Sequence, residues 1–384
     1  MVYLDNNATT RLAPEVLEAM LPYLTERWGN PSSAYLFGHD LTQALEAARE
    51  QVAALLNAEP REIIFTSCGT ESINSALHSA LVTQPAKRHV VTTAVEHSAT
   101  LKFCAFLQKQ GYEVTHLAVS PTGALDLTLL EKSIRPDTAL VSVMSANNET
   151  GVLFPVAAIA EICRNKGVMC HTDAVQMAGK LKLDVKELGV DWLSISGHKF
   201  HAPKGVAALY VKRGVKFQPF VMGGGQERGR RGGTENVASI IGLGRAAELA
   251  LAGCSQQSRV GALRDKLESG VIHSVPGTQV NGGLEPRLPN TSNIAFDGVE
   301  AEGILLLLDQ AGICASSGSA CTTGSLDPSH VLLAMGFSAA RARSSIRFSF
   351  GIYNNDADVD HTLQQLPGII EKLRAHAPLA RVNM

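Results

Sequence analysis

The chain has 384 residues, 45% of them hydrophobic, with 34 basic and 36 acidic side chains. That length supports two domains with sizeable cores, and the near balance of charge removes nucleic acid from the expected partners. Seven cysteines without regular spacing and without a Cys-x-x-Cys pair exclude a disulfide framework and argue against structural zinc.

The opening Met1-Val-Tyr-Leu-Asp-Asn-Asn7 lacks the basic-then-apolar pattern of a secretory leader, and no apolar run is long enough to span a bilayer. A reducing, cytoplasmic setting without a membrane partner is expected. Pro14 precedes a helical pattern in Val16, Leu17, Met20 and Leu24; a loop follows over Gly29 to Ser33, then an amphipathic helix over Leu41 to Leu56. Glu62 to Ser67 reads as a strand and Ile73 to Leu81 as a helix, with Cys68-Gly69-Thr70-Glu71-Ser72 turning between them. A glycine and hydroxyls at such a junction gather free N–H groups, which suits an anion or phosphate. An ordinary helix cap by Thr70 is the equally open reading. Neither a dinucleotide fingerprint nor a P-loop is present.

Strands are expected over His89–Val95, Glu113–Leu117, Ala139–Ser145, Val168–Thr172, Asp191–Ser196 and Val206–Val211, with helices over Leu101–Lys109 and Val156–Asn165 among them. This alternation predicts a largely parallel, doubly wound α/β sheet. Thr70, His97, Asn148, Asp173, Gln176 and Lys199 all fall just beyond the end of an apolar segment, and such ends line one crevice. The glycine-rich run over Gly223 to Gly233, with Arg228, Arg230 and Arg231, reads as a flexible cationic loop. It is either simply solvated or a phosphate or subunit contact. A helix over Val237–Leu251 leads to a boundary near Gly253. Beyond it come helices over Arg259–Leu267, Glu300–Gln310 and about Asp358–Leu373, with strand-like Thr291–Phe296 and Ser344–Phe350. The expected division is a large domain of 12–252 and a smaller α+β domain of 1–11 with 253–384.

Lys199 stands where Ser196-Gly-His-Lys leaves an apolar segment. A lysine there is either a snorkelling surface residue or an imine former to an aldehyde cofactor. Its company favours the second. Asp173 suits a pyridine nitrogen, His97 a ring face, and Thr70, Ser196 and His198 a phosphate; together with Lys199 these are the parts pyridoxal phosphate needs. A metal site of His97, His171, Asp173 and His198 is the competitor, without tight ligand spacing. On the polar face of the Ser344–Phe350 strand, Arg347 is able to clamp a carboxylate. Cys321, in a stretch of small residues, is a candidate mobile nucleophile.

These residues resemble the cysteine desulfurases, most closely the nitrogen-fixation and iron–sulfur-cluster class within the fold-type I pyridoxal-phosphate enzymes. The resemblance rests on Tyr3-Leu-Asp-Asn-Asn-Ala-Thr-Thr10, His97, His171-Thr-Asp-Ala-Val-Gln176, Ser196-Gly-His-Lys199, Arg231-Gly-Gly-Thr234 and Ser316-Ser-Gly-Ser-Ala-Cys321. The last is its most specific part; the lysine motif alone also admits selenocysteine lyases and related aminotransferase-like enzymes. It implies an aspartate-aminotransferase-like fold type I with a mostly parallel seven-stranded sheet and a smaller α+β domain. It implies removal of sulfur from L-cysteine, giving L-alanine and a persulfide on Cys321 that is passed to an iron–sulfur scaffold protein.

By the same resemblance Lys199 carries the cofactor, Asp173 its ring nitrogen, Gln176 its ring hydroxyl, and His97 stacks on the ring and handles protons. Gly69, Thr70, Ser196 and His198 hold the phosphate, joined by Thr234 from the partner of a homodimer. Asn148 and Arg347 hold the substrate carboxylate. No resident metal is implied, beyond Cys321 as a transient iron–sulfur cluster ligand. One departure is Ala34-Tyr35-Leu36, where such enzymes commonly carry a histidine shortly before Phe-Gly.

Overall fold

A computed structural model describes residues 1–253, 256–317 and 327–376. Strand β1 (Val2–Tyr3) opens the chain, and helices α1 (Pro14–Thr25) and α2 (Leu36–Leu56) follow. The next stretch alternates: β2 (Ile63–Thr66), α3 (Gly69–Val82), β3 (His89–Thr93), α4 (Ser98–Lys109), β4 (Glu113–Leu117), α5 (Leu127–Ser133) and β5 (Thr138–Ser142). Then come α6 (Val156–Asn165), β6 (Met169–Asp173), α7 (Val185–Leu188), β7 (Trp192–Ser196), β8 (Ala207–Val211) and α8 (Val237–Ala252). The remainder is α9 (Gln256–Ser274), β9 (Thr278–Val280), β10 (Thr291–Phe296), α10 (Ala301–Gln310), β11 (Ile313–Cys314), α11 (His330–Ala334), α12 (Ala339–Arg343), β12 (Ser345–Ser349) and α13 (Asp356–His376).

Seven strands form one sheet in the order β2-β8-β7-β6-β5-β3-β4. Neighbours from β7 to β4 are parallel, whereas β8 is antiparallel to both β7 and β2. Two reversals cancel, so β2 runs the same way as β7. The C-terminal ends of β2, β3, β5, β6 and β7 therefore share one edge. This is the geometric reason that polar residues after those strands meet.

Side-chain alternation splits the sheet between two cores. Phe65, Val91, Val141, Leu193, Ile195 and Ala208 face α1, α2, α6 and α8. Ile64, Val90, Leu140, Trp192 and Leu209 face α3 and α4. A separate core gathers Leu263, Leu267, Phe296, Ile304, Phe348 and Ile370 with Val2 and Leu4 from the N-terminus. It surrounds the antiparallel sheet β12-β10-β9 and the parallel pair β1-β11. The N-terminal segment thus ties itself to the C-terminal part before crossing to the large sheet. Asn7 marks the crossing: its N–H reaches Ser349 Oγ (2.9 Å), and its amide reaches Asn148 O (3.2 Å) and Thr291 Oγ1 (2.8 Å).

Helix starts differ from the periodicity in a consistent way. The second helix begins at Leu36 and the third at Gly69, each four or more residues earlier than its apolar stripe suggests. In α3 the first turn at the pocket edge is Gly69-Thr-Glu-Ser72, so its apolar pattern begins only after it; α2 instead opens on the exposed Leu36 and Phe37. Among the described residues no single helix is long and apolar enough to cross a membrane.

Candidate active site

A cavity of about 290 Å³ lies at the common strand edge. Gly69, Thr70, His97, Asn148, Asp173, Gln176, Ser196, His198, Lys199 and Arg347 all line it. Ten of the twelve residues singled out from the sequence are therefore brought together. Thr234 is not at this pocket; it lies exposed on the loop before α8. Cys321 lies outside the described residues.

One wall is the start of α3. Ser72 N–H makes a helical bond to Cys68 O (3.1 Å), so the amides of Gly69, Thr70 and Glu71 are the terminal N–H groups of a fourteen-residue helix. Thr70 sits inside that first turn rather than capping it, which favours the anion reading over the cap. A Cβ on Gly69 would stand 3.0 Å from Val175 Cγ2 and 3.4 Å from Ser196 Cβ, so a larger residue would crowd this cradle. Ser196 and His198 complete it from the end of β7 and the short turn beyond. Desolvation pulls the His198 pKa down to about 4, with Lys199 and Lys204 acting the same way, so its ring is neutral at pH 7.

The glycine-rich loop braces this wall. Arg231 grips Glu71 with two hydrogen bonds (2.9 and 3.2 Å), and Glu71 also accepts from Ser67. Burial works to raise the Glu71 pKa, yet these bonds hold it below the usual carboxylate range. Arg228 pairs with Glu46, and Arg230 reaches the carbonyl of Ile63. Of the three loop arginines, Arg228 and Arg231 are thus paired with acids from elsewhere in the fold, and Arg230 is bonded to a backbone carbonyl. Arg49 and Glu227 form its buried anchor, joined by two 2.8 Å bonds.

Opposite, Asp173 is only 6% exposed at the end of β6, its Oδ1 accepting from Val175 N–H (2.9 Å). Burial raises its pKa, while His97 and Lys199 oppose that shift. His97 stands at the N-terminus of α4 as its cap. Nδ1 accepts from Ala99 N–H (3.1 Å), so the neutral ring carries its proton on Nε2. His97 is both a helix cap and a pocket residue. His171, offered as a metal ligand, is spent elsewhere: its two ring nitrogens bond Ser142 and Ser194 (2.8 and 2.9 Å) inside the sheet.

Lys199 Nζ donates to the carbonyls of Asn7 (2.6 Å) and Ala8 (2.9 Å). Arg347 is 2% exposed, with Nη2 on Asp5 (2.7 Å) and Nη1 on Asn148 O (2.9 Å). Its Nε is buried and has no hydrogen-bond partner among the described residues. Three site residues were not legible from sequence pattern. Cys68 lines the cavity and is exposed. Asn7 supplies the carbonyl that holds Lys199. Lys180 donates to Gln176 Oε1 (2.8 Å) and Asn7 Oδ1 (3.0 Å), and only its i, i+4 spacing from Gln176 hinted at this.

A family model for class-V aminotransferases matches residues 2–362. The chain is 54% identical over 380 residues to cysteine desulfurase 2 of Trichormus variabilis, covering 99% of this chain and 96% of that one. It belongs to the class-V aminotransferases, among the cysteine desulfurases. It is also 52% identical to the cysteine desulfurase NifS of Azotobacter vinelandii, over 98% of this chain and 94% of that one. Among solved structures, a NifS-like protein superposes with a TM-score of 0.91 at 40% identity, over 97% of this chain and all of the other.

The cofactor of this family, pyridoxal 5'-phosphate, fits the residues present. Its aldehyde calls for an amine, and Lys199 offers one at the cavity wall. A carboxylate for its ring nitrogen is provided by Asp173, and the glycine cradle at the start of α3 suits its phosphate.

Proposed function

We propose that this protein removes sulfur from L-cysteine with the help of pyridoxal phosphate, releasing L-alanine and leaving a persulfide on Cys321. The observation that carries this reading is the single cavity lined by Lys199, Asp173, His97, Ser196 and Arg347. Lys199 would hold the cofactor covalently, Asp173 its ring nitrogen, Gln176 its ring oxygen and His97 its ring face. Gly69, Thr70, Ser196 and His198 would hold the phosphate. When bound, the cofactor supplies an electron sink for charge that develops at the substrate α-carbon.

The chain's own residues do the rest. Arg347 and Asn148 orient the substrate carboxylate, the buried Nε of Arg347 being a donor in want of an acceptor. Lys199 would take the α-proton and later return a proton to carbon. His97, lining the cavity, would hold or move a proton at the substrate. The Cys321 thiolate attacks the substrate sulfur; the carbon–sulfur bond breaks, and a sulfur–sulfur bond forms. The balance is L-cysteine plus one protein thiol giving L-alanine plus one protein persulfide.

The two separate cores support a cofactor-binding domain of 12–252 and a second domain of 1–11 with 253–384. Thr234, exposed and off its own chain's pocket, suits a homodimer in which it reaches the partner's phosphate site. The persulfide sulfur is destined for an iron–sulfur scaffold, in a cytoplasmic setting and with nitrogen fixation as one use. The test is incubation of purified protein and cofactor with L-cysteine. Stoichiometric L-alanine and protein persulfide are expected. Keto acid formed only with an amino acceptor would instead make the protein a transaminase.

A further inference from the structure

Lys180 is a second lysine buried behind the cavity. It is 7% exposed, and its Nζ meets two amide oxygens, Gln176 Oε1 at 2.8 Å and Asn7 Oδ1 at 3.0 Å. Among the described residues no carboxylate is paired with it. A lysine has donors and no acceptor, so the atom of Gln176 that it touches is the oxygen. The other end of the same amide, Nε2, donates to the carbonyl of Asn7 at 3.0 Å, and a carbonyl only accepts. The orientation of Gln176 is thereby determined twice. Nε2 carries two hydrogens; Asn7 uses one, and Gln176 lines the cavity.

A donor on the oxygen of an amide withdraws charge from its nitrogen and strengthens the remaining N–H bond, as in any chain of hydrogen bonds in a dry interior. We propose that Lys180 is a positioning residue that acts through Gln176. It keeps the amide's N–H end toward the cofactor and strengthens its donation to the ring oxygen. The inference rests on the reading that Gln176 contacts that oxygen. Burial, with Lys199 and Arg347 as neighbouring cations, pushes the Lys180 pKa well below the ordinary lysine value. With two amide oxygens facing Nζ, its interaction is donation of N–H rather than a salt link.

Donation to the ring oxygen stabilises its anionic form, so weakening that donation raises the proton affinity of the bound chromophore. The experiment is a pH titration of the holoenzyme's near-ultraviolet and visible absorption, with K180M, Q176L and the double variant beside the parent. The midpoint is expected to rise by about half a unit to one unit in K180M, the size of one weakened hydrogen bond. Q176L should raise it at least as far, and the double variant no further than Q176L alone.

An unmoved midpoint in K180M beside a shifted Q176L overturns the role of Lys180. Additive shifts overturn the route through Gln176. An unmoved midpoint in Q176L removes the underlying contact itself, a distinguishable failure. Should K180M not fold, K180L replaces it: the apolar side chain has no donor for the Gln176 oxygen, the same rise is expected, and its absence overturns the proposal.

Discussion

Ser316 and Arg347 are bridged by two backbone hydrogen bonds, from Ser316 N–H to Arg347 O (3.2 Å) and from Arg347 N–H to Ser316 O (2.6 Å). Arg347 lines the cavity. On the far side of Cys321 in the chain, Ser329 donates to Glu149 and His330 bonds the carbonyl of Glu96 (3.0 Å). Glu149 adjoins Asn148 and Glu96 adjoins His97, both of which line the cavity. The described chain on either side of Cys321 is therefore held at the site, and Cys321 lies five residues beyond Ser316 in the sequence.

Replacing Cys321 with Ala is expected to leave the cofactor's yellow absorption unchanged, because no cofactor-holding residue is touched. L-alanine formation from L-cysteine should cease. The two measurements on one preparation separate the sulfur acceptor from the cofactor site, and continued turnover would sink the assignment.

Lys199→Ala should do the reverse and abolish the absorption band near about 390–420 nm, where lysine-linked cofactor absorbs. Asp173→Asn should keep that band but lower kcat by about a hundredfold or more, since a buried carboxylate at the cavity is lost without a change of shape. A D173N enzyme of ordinary kcat would remove Asp173 from the ring nitrogen.

What could be read from sequence followed one rule: polar residues just beyond apolar strands. That rule locates Asp173, His97 and Lys199, because β6, β3 and β7 run parallel and end together. It also locates Thr70, through the double reversal at β8. Partners supplied by distant segments were invisible. Nothing near Arg231 announces Glu71, and nothing near Lys199 announces the Asn7 carbonyl. Both come from chain more than a hundred residues away, and no periodicity encodes them. Arg347 was legible as the polar face of its strand, but its pairing with Asp5 was not.

The Arg231–Glu71 pair yields a prediction of its own. Its carboxylate is held below the usual range, so it contributes stability above the unfolded value near about 4.5 and loses it as pH falls through the folded value. In Arg231→Met that contribution is reduced, and the first turn of α3 loses its brace. Cofactor affinity, measured by equilibrium dialysis at pH 7, is expected to fall about tenfold. An unaltered affinity would mean that the loop does not support the phosphate wall.

Ser329 serves two partners, accepting from Leu332 N–H (3.1 Å) as the cap of α11 and donating to Glu149. Burial raises the Glu149 pKa against the opposing effects of Ser329, His330 and Arg347. Ser329→Ala should cost about 1–2 kcal/mol of stability, the ordinary loss for a cap. Persulfide formation should slow while the cofactor band stays, because the anchor beside Glu149 is loosened. Denaturant unfolding and single-turnover alanine release measure the two effects separately.

His198 tests the phosphate cradle through pH. Its folded pKa of about 4 lies below the ordinary value of about 6.5, chiefly through desolvation. Between those values the unfolded chain binds a proton that the folded chain refuses. Stability therefore falls as pH is lowered through that window, and is unaffected by this group above it. Cofactor-free His198→Asn protein should lose less stability between pH 7 and 4.5 than the parent does. Bound cofactor should reduce the parent's loss, since a phosphate facing the imidazole favours its charged form. Equal pH slopes for parent and variant, with and without cofactor, would place His198 outside the cradle.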